Sequence, residues 1–201
     1  AYVESSATAK RLRASKIPAV EVFGHHLDLK LPQVGNDDEA IGALAAERFR
    51  SLGRRHPVFL GDDAHGEFAE RFEGFRDTFR RYGIEPEMVT VPAFTVTAGA
   101  TAAEAILRER PRTDALFAAS DLLAIGASRG LLSSGRRVPE DVSVIGYDDS
   151  PLGATYVPPL TSVHQNFVEA GILLARKVTA LIDGGPAGSE VLPTHLVVRD
   201  T

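Results

Sequence analysis

Val142-Ser-Val-Ile-Gly-Tyr-Asp-Asp-Ser-Pro-Leu-Gly-Ala-Thr-Tyr-Val-Pro-Pro-Leu-Thr-Ser-Val-His-Gln165 is the stretch on which the fold turns. Its first seven residues, Val142 to Asp148, form an apolar, β-branched run that closes on carboxylates. Such a run suits a strand buried in a sheet, which puts Asp148 and Asp149 at the strand's carboxyl end. In open α/β sheets that end is where ligands are held, because the connecting loops part there and leave a crevice. A second reading takes Asp148-Asp149-Ser150-Pro151 as a turn whose carboxylates cap backbone N–H groups. Residues further out shift the balance toward the first.

Downstream of Pro158-Pro159, Leu160 to His164 reads as a strand and Asn166 to Ile182 as a helix with Val168, Ile172, Ala175, Val178 and Ile182 on one side. Gly184-Gly185-Pro186 ends that helix, and His195 to Arg199 is a closing strand. Upstream, Asp114 to Ala119 is a strand, and Ser120 or Asp121 caps a helix carrying Leu122, Leu123, Ile125, Ala127 and Leu131. Met88 to Phe94 is a strand leading to a helix from Ala98 to Arg110. Pro57 to Gly61 is another, followed by a helix from about Gly66 to Tyr82 with Phe68, Phe72, Phe75 and Phe79 in a stripe. Four phenylalanines at that spacing point to core rather than to a cofactor box.

Asp37 or Asp38 caps a helix with Ile41, Leu44, Ala45, Phe49 and Leu52 on one face, closed by Gly53. Before it lie an opening helix with Ser5 or Ser6 as N-cap, a strand from Ile17 to Phe23 with Pro18 at its beginning, a polar loop holding His25 and His26, and an extended piece around Pro32 to Val34. Strands alternating with helices give a doubly wound parallel sheet by the right-handed crossover rule.

Composition removes several classes of function. Without cysteine there are no disulfides, thiolate nucleophiles or Cys-ligated metal centres. The net charge is -5, and the basic residues are scattered singly or in pairs, whereas a surface that grips nucleic acid clusters them. No apolar run reaches bilayer length, and the N-terminus shows no secretory leader. G-x-G-x-x-G, P-loop, G-x-S-x-G and H-E-x-x-H motifs are absent. The histidines lack metal-ligand spacing, so neither a metal nor a cofactor is expected.

Several residues converge at strand ends instead. Asp148 ends one strand, Phe94 a second and Ser120 a third, and Arg71 lies in Arg71-Phe-Glu-Gly-Phe75. An aromatic plate, a fixed cation and a carboxylate are what a polar, hydroxylated ring needs: its C–H face packs on the aromatic while hydroxyl pairs are held bidentately. The plainer alternatives are a surface ion pair of Arg71 with Glu67 or Glu70, and ordinary core for Phe94.

Arg71-Phe-Glu-Gly-Phe-Arg76, Phe117-Ala-Ala-Ser-Asp121, Val138-Pro-Glu-Asp-Val-Ser-Val-Ile-Gly-Tyr-Asp-Asp149, Pro158-Pro-Leu-Thr-Ser-Val-His-Gln-Asn-Phe167 and the closing Leu192-Pro-Thr-His-Leu-Val-Val-Arg199, in this order, resemble the effector-binding core of the lactose/galactose repressor family of bacterial transcription regulators. The resemblance implies an α/β, periplasmic-binding-protein-like fold: two doubly wound parallel-sheet lobes joined by strands crossing near residues 35, 164 and 191. Residues 1–35 and 164–191 would be the remnant of a first lobe incomplete at its N-terminus, and 36–163 with 192–201 a second lobe. A DNA-reading helix-turn-helix, absent from this chain, would precede them.

Carried onto this sequence, the family's effector contacts fall on Arg71, Phe94, Ser120, Asp148 and Phe167. Ser120 departs from the family's common Asn, and Phe23 from a position often polar or acidic, which leaves the sugar's identity open; the resemblance also admits sugar phosphates and nucleobases as effectors. The implied protein is a cytoplasmic, homodimeric sensor of a small-molecule effector, a sugar or polyol in chemistry, that is not an enzyme and meets operator DNA only through the helix-turn-helix. A periplasmic sugar-binding protein of a transporter would share the fold. A glycoside hydrolase would need two opposed carboxyl groups, which adjacent Asp148 and Asp149 do not readily supply.

Overall fold

The computed structural model describes residues 6–23, 31–62 and 66–201. The polar loop expected around His25 and His26, and Ser5 as a first cap, lie outside them. The chain divides into two compact units, residues 1–37 with 166–194 and residues 38–165 with 195–201.

The larger unit grows from its most apolar runs. β3 (Pro57–Gly61) and β5 (Ala115–Ala118) are buried at every position, and β6 (Ser143–Asp148) at all but its last. Full burial demands cover on both faces, so these are the central strands. With β4 (Glu87–Thr90), β7 (Thr161–His164) and β9 (His195–Val197) they form a six-stranded sheet in the order β4-β3-β5-β6-β7-β9. All neighbours are parallel except β7 and β9.

α2 (Asp38–Ser51) enters this sheet, α3 (Gly66–Arg80) links β3 to β4, α4 (Val96–Glu109) links β4 to β5, and α5 (Asp121–Ser133) links β5 to β6. The chain steps from β3 outward to β4, then back across β3 to β5. With right-handed crossovers this reversal sends α3 to one face and α4 and α5 to the other. The carboxyl ends of β3 and β5 therefore flank the switch point at which open sheets hold ligands.

On the α3 side the core is aromatic. Phe49, Phe59, Phe75, Phe79 and Phe117 are fully buried, with ring centroids 5.0 Å apart for Phe75–Phe79 and 5.4 Å for the edge-on Phe59–Phe117 pair. Each ring contributes about 1.5–3 kcal/mol of burial. The two helix pairs pack backbone to backbone. A Cβ added at Gly42 would sit 2.0 Å from the carbonyl oxygen of Arg71, and one at Gly74 would sit 1.9 Å from that of Glu39. α2 and α3 are thus interlocked through two glycines, and Gly99, Gly126 and Gly130 do the same for α4 and α5.

The smaller unit holds α1 (Ser6–Ser15), β1 (Glu21–Val22), β2 (Gln33–Gly35), α7 (Phe167–Ile182) and β8 (Glu190–Val191). Its strands run parallel in the order β1-β2-β8. Val34, Ala170, Leu173 and Leu192 form its core.

Five expectations are corrected. The strand expected over Ile17 to Phe23 is confined to Glu21–Val22. The one expected to reach Phe94 stops at Thr90, because Pro92 has no N–H for the ladder. Leu44 and Leu52 of α2 are exposed, while Gly42 and Ala46 take the buried positions that close packing on α3 requires. α7 buries Ala170 and Leu173 and exposes Val168, Ile172 and Ile182. This helix is apolar on most sides, so periodicity alone could not choose its buried face. Finally, β9 enters antiparallel. Pro151–Thr155 forms the short helix α6 on the cap Ser150.

Candidate functional site

Arg71 leaves α3 beside the Gly42–Gly74 contact, and its side chain is nearly inaccessible, with 2% of the residue exposed. Its Nε donates to Asp38 Oδ1 at 2.9 Å and its Nη2 to the same oxygen at 2.5 Å, while Nη1 donates to the carbonyl of Ala119 at 3.3 Å. Tyr147 lies under the guanidinium at 3.6 Å and Phe68 at 5.5 Å. Asp38 opens α2 and Ala119 follows β5, so the cation is tied at the switch point. The surface-pair reading of Arg71 does not hold: its partner is a buried carboxylate across the helix interface.

Phe94 lies in the loop between β4 and α4, where its ring stacks on Phe68 with centroids 4.9 Å apart and planes 22° from parallel. Phe68 therefore bridges Phe94 and Arg71. Ser120 follows β5 as the N-cap of α5, its Oγ accepting from Leu123 N at 3.3 Å.

Asp148 ends β6 with φ 121°, and Asp149 follows at φ 53°. Consecutive positive φ at two non-glycine residues is strained backbone that surrounding contacts must hold. Asp121, the first residue of α5, supplies much of that hold. Its Oδ2 accepts from the backbone N–H and the hydroxyl of Ser150, at 2.6 and 2.7 Å, and its Oδ1 accepts from Ser162 Oγ at 2.6 Å. Gly146 and Gly153 leave room for this carboxylate: a Cβ at either would stand 2.3 or 2.9 Å from it. Asp149 accepts from Arg199 Nη2 at 2.5 Å and from His164 Nδ1 at 2.8 Å, and its own N–H donates to Ser162 Oγ at 3.0 Å.

The two adjacent carboxylates titrate differently. Burial, and after it the charge of Asp121, push Asp148 up from 3.8 to about 6, against the opposing N–H of Gln165 and the charge of Arg71. Burial also pushes Asp149 upward, but Arg199 and His164 outweigh it and hold its carboxyl below the ordinary range. Gln165 Nε2 donates to Asp148 Oδ1 at 2.9 Å.

The larger unit thus brings Arg71, Phe94, Ser120 and Asp148 to the carboxyl side of its sheet. Phe167 belongs to the smaller unit, where it is half-exposed at the first turn of α7 and meets Phe23 edge-on at 5.8 Å. Sequence reasoning missed the roles of Asp38, Phe68, Tyr147, Asp121 and Gln165. Asp38 read as a helix cap and Phe68 as core. Gln165 alone carried a signal, since it closes the strand paired with that of Asp148. A separate open groove of about 400 Å³, lined by Arg55, His56, Glu87 and Arg110 among others, lies at the opposite, amino ends of β3, β4 and β5.

A mostly parallel sheet with a switch point, together with a smaller parallel unit built from two separate stretches of the chain, is the periplasmic-binding-protein-like class. The periplasmic binding protein-like domain model matches residues 46–201. The HTH-type transcriptional regulator CelR of Thermobifida fusca is 39% identical over 165 residues, covering 80% of this chain and 48% of the relative. A transcriptional regulator CelR–cellobiose complex superposes with a TM-score of 0.80 at 30% identity, over 98% of this chain and 70% of that one. A dimeric Lac repressor does so with a TM-score of 0.87 at 28% identity, over 97% and 72%. The chain belongs to the lactose/galactose repressor family of bacterial transcription regulators. It spans about half the length of the curated relatives it matches.

Proposed function

We propose that this chain is the effector-sensing core of a bacterial transcription regulator, and that Arg71, Phe94, Ser120, Asp148 and Phe167 grip a neutral, hydroxylated ring. The observation that carries this reading is the buried Arg71–Asp38 pair at the switch point, set among Phe68, Tyr147 and Phe94 and within electrostatic reach of Asp148. Such a site offers fixed donors, an acceptor carboxylate and aromatic faces, the combination that recognises vicinal hydroxyls above an apolar sugar face. Asp38 already balances the guanidinium charge, and Asp148 adds a carboxylate nearby. Among the described residues a phosphate group finds no uncompensated cation there, which favours free sugars over sugar phosphates.

Binding would act by shifting a conformational equilibrium, to the extent that the effector prefers one state. Homodimerisation and control of operator DNA, through a helix-turn-helix of the kind the relatives' names describe, complete the proposed role. The cytoplasm is the proposed compartment, and among the described residues no helix is long and apolar enough to cross a membrane. No turnover is expected: among the described residues Asp149 is held by Arg199 and His164 and Asp121 by Ser150 and Ser162, so neither is placed to act as a second carboxyl opposite Asp148.

Calorimetric titration with cellobiose, other neutral sugars, sugar phosphates and nucleobases tests the reading. A neutral sugar should bind, and Asp148→Ala and Phe94→Ala should each weaken it at least about tenfold, the loss of one good polar or stacking contact. Unchanged binding in both variants, or a preference for the phosphorylated ligand, would refute it.

A further inference from the structure

We propose that His164 and His195 form a two-imidazole site for a late first-row transition-metal ion, Ni²⁺, Cu²⁺ or Zn²⁺, with Asp149 as the residue that orients His164. The site adjoins Asp148, which is the ladder partner of His164 and the chain neighbour of Asp149, but it does not depend on the ring-binding assignment. No sequence spacing announces it, because it exists only once β7 and β9 pair.

In that antiparallel ladder His164 and His195 are direct Cα partners. Directly opposed residues carry their Cβ atoms about 4.5–5.5 Å apart on one face of the sheet. The imidazole centroids are 4.9 Å apart with planes 35° from parallel. His195 is exposed and the His164 side chain is 35% accessible, so both rings reach solvent. Imidazole nitrogen is a good ligand for Ni²⁺, Cu²⁺ and Zn²⁺. Among the described residues no cluster of three or more His, Asp or Glu could hold a metal. The ion would therefore take two protein ligands, with water in its remaining positions.

Asp149 makes the pair more than an accidental neighbourhood. Its carboxylate can only accept, so the 2.8 Å contact puts the His164 proton on Nδ1 and leaves the Nε2 lone pair free for an ion. The carboxylate is itself fixed by Arg199 at its other oxygen and by the backbone bond to Ser162. A carboxylate behind a ligating histidine sets the ring's tautomer and raises its basicity. Arg199 and Asp148 are further charged groups beside the cluster, and the ion pair of Arg199 with Asp149 offsets the repulsion it would exert on a cation. A bound ion would clasp β7 to β9 next to residues 165/166 and 194/195, where the chain passes from one unit to the other.

The test is titration of the 201-residue chain with NiCl₂ and CuCl₂ by calorimetry, on a His25→Ala/His26→Ala background that removes the adjacent histidines. One ion per chain is expected, with a Cu²⁺ paramagnetic resonance spectrum showing two imidazole nitrogens. His164→Gln and His195→Gln should each reduce the spectrum to one nitrogen, with metal-free circular dichroism and melting unchanged. Asp149→Asn should weaken affinity by about 10–100-fold while keeping two nitrogens. No binding by the background chain, or full affinity retained in either glutamine variant, would overturn the site. Full affinity in Asp149→Asn would overturn the orienting role.

Discussion

Replacing Asp148 by Asn should stabilise the protein at neutral pH and change its stability little near pH 4. Burial and the charge of Asp121 raise this carboxyl from 3.8 to about 6. Between those values the folded chain keeps a proton that the unfolded chain has lost. Stability from this group therefore falls as pH rises through that interval and stays at the lower level above it. The gap corresponds to about 3 kcal/mol at pH 7.5, shrinking to about 0.5 kcal/mol at pH 4. Asn keeps the shape, accepts the N–H of Gln165 and tolerates positive φ, but carries no charge. Its amide N–H₂ must find partners where an oxygen stood, which reduces the expected gain at pH 7.5 to about 2 kcal/mol. Urea unfolding at pH 7.5 and pH 4 reads this as a midpoint that rises at the higher pH with an unchanged slope. An equal change at both pH values, or destabilisation at pH 7.5, would refute the account of why Asp148 titrates high.

Three further outcomes follow from the same geometry. Asp121→Asn removes the like charge facing Asp148, so the Asp148 midpoint, followed by carbon NMR of its carboxyl, should move below about 6. Gly74→Ala puts a methyl 1.9 Å from the Glu39 carbonyl and should destabilise by about 1–3 kcal/mol or more, seen as a lower urea midpoint, because backbone rather than a side chain must yield. Thr201 is buried, accepting from Thr161 N–H at 2.8 Å and donating to the Val144 carbonyl at 2.7 Å. Thr201→Val should therefore cost about 1–3 kcal/mol in thermal or urea unfolding, since both groups are left without that partner.

Where the chain's own pattern dictates an element, the sequence was sufficient. The phenylalanines of α3, the buried runs of β3, β5 and β6, and the glycines at 53 and 83 with φ of 76° and 70° all follow from local rules. What stayed hidden depends on partners distant along the chain. Asp38 and Arg71 are 33 residues apart, and the close packing of α2 on α3 at Gly42 and Gly74 brings them together. Asp121 looked like one more helix-capping candidate, yet it gathers Ser150 and Ser162 from α6 and β7. The direction of β9 was invisible because a strand's composition does not record its polarity. In α7, apolar residues surround the helix, so no periodicity could mark the side that packs.

The two glycines between α2 and α3 have a consequence for how this binding surface can be altered. With main chain resting on main chain, no intervening side chain can be trimmed or enlarged to adjust the spacing of the helices. The guanidinium of Arg71 and the carboxylate of Asp38 therefore behave as one rigid fitting. A change in which ring is accepted has to come from the margins of that fitting, at positions such as Ser120 and Phe94, where the volume and polarity of one residue can vary without re-angling a helix.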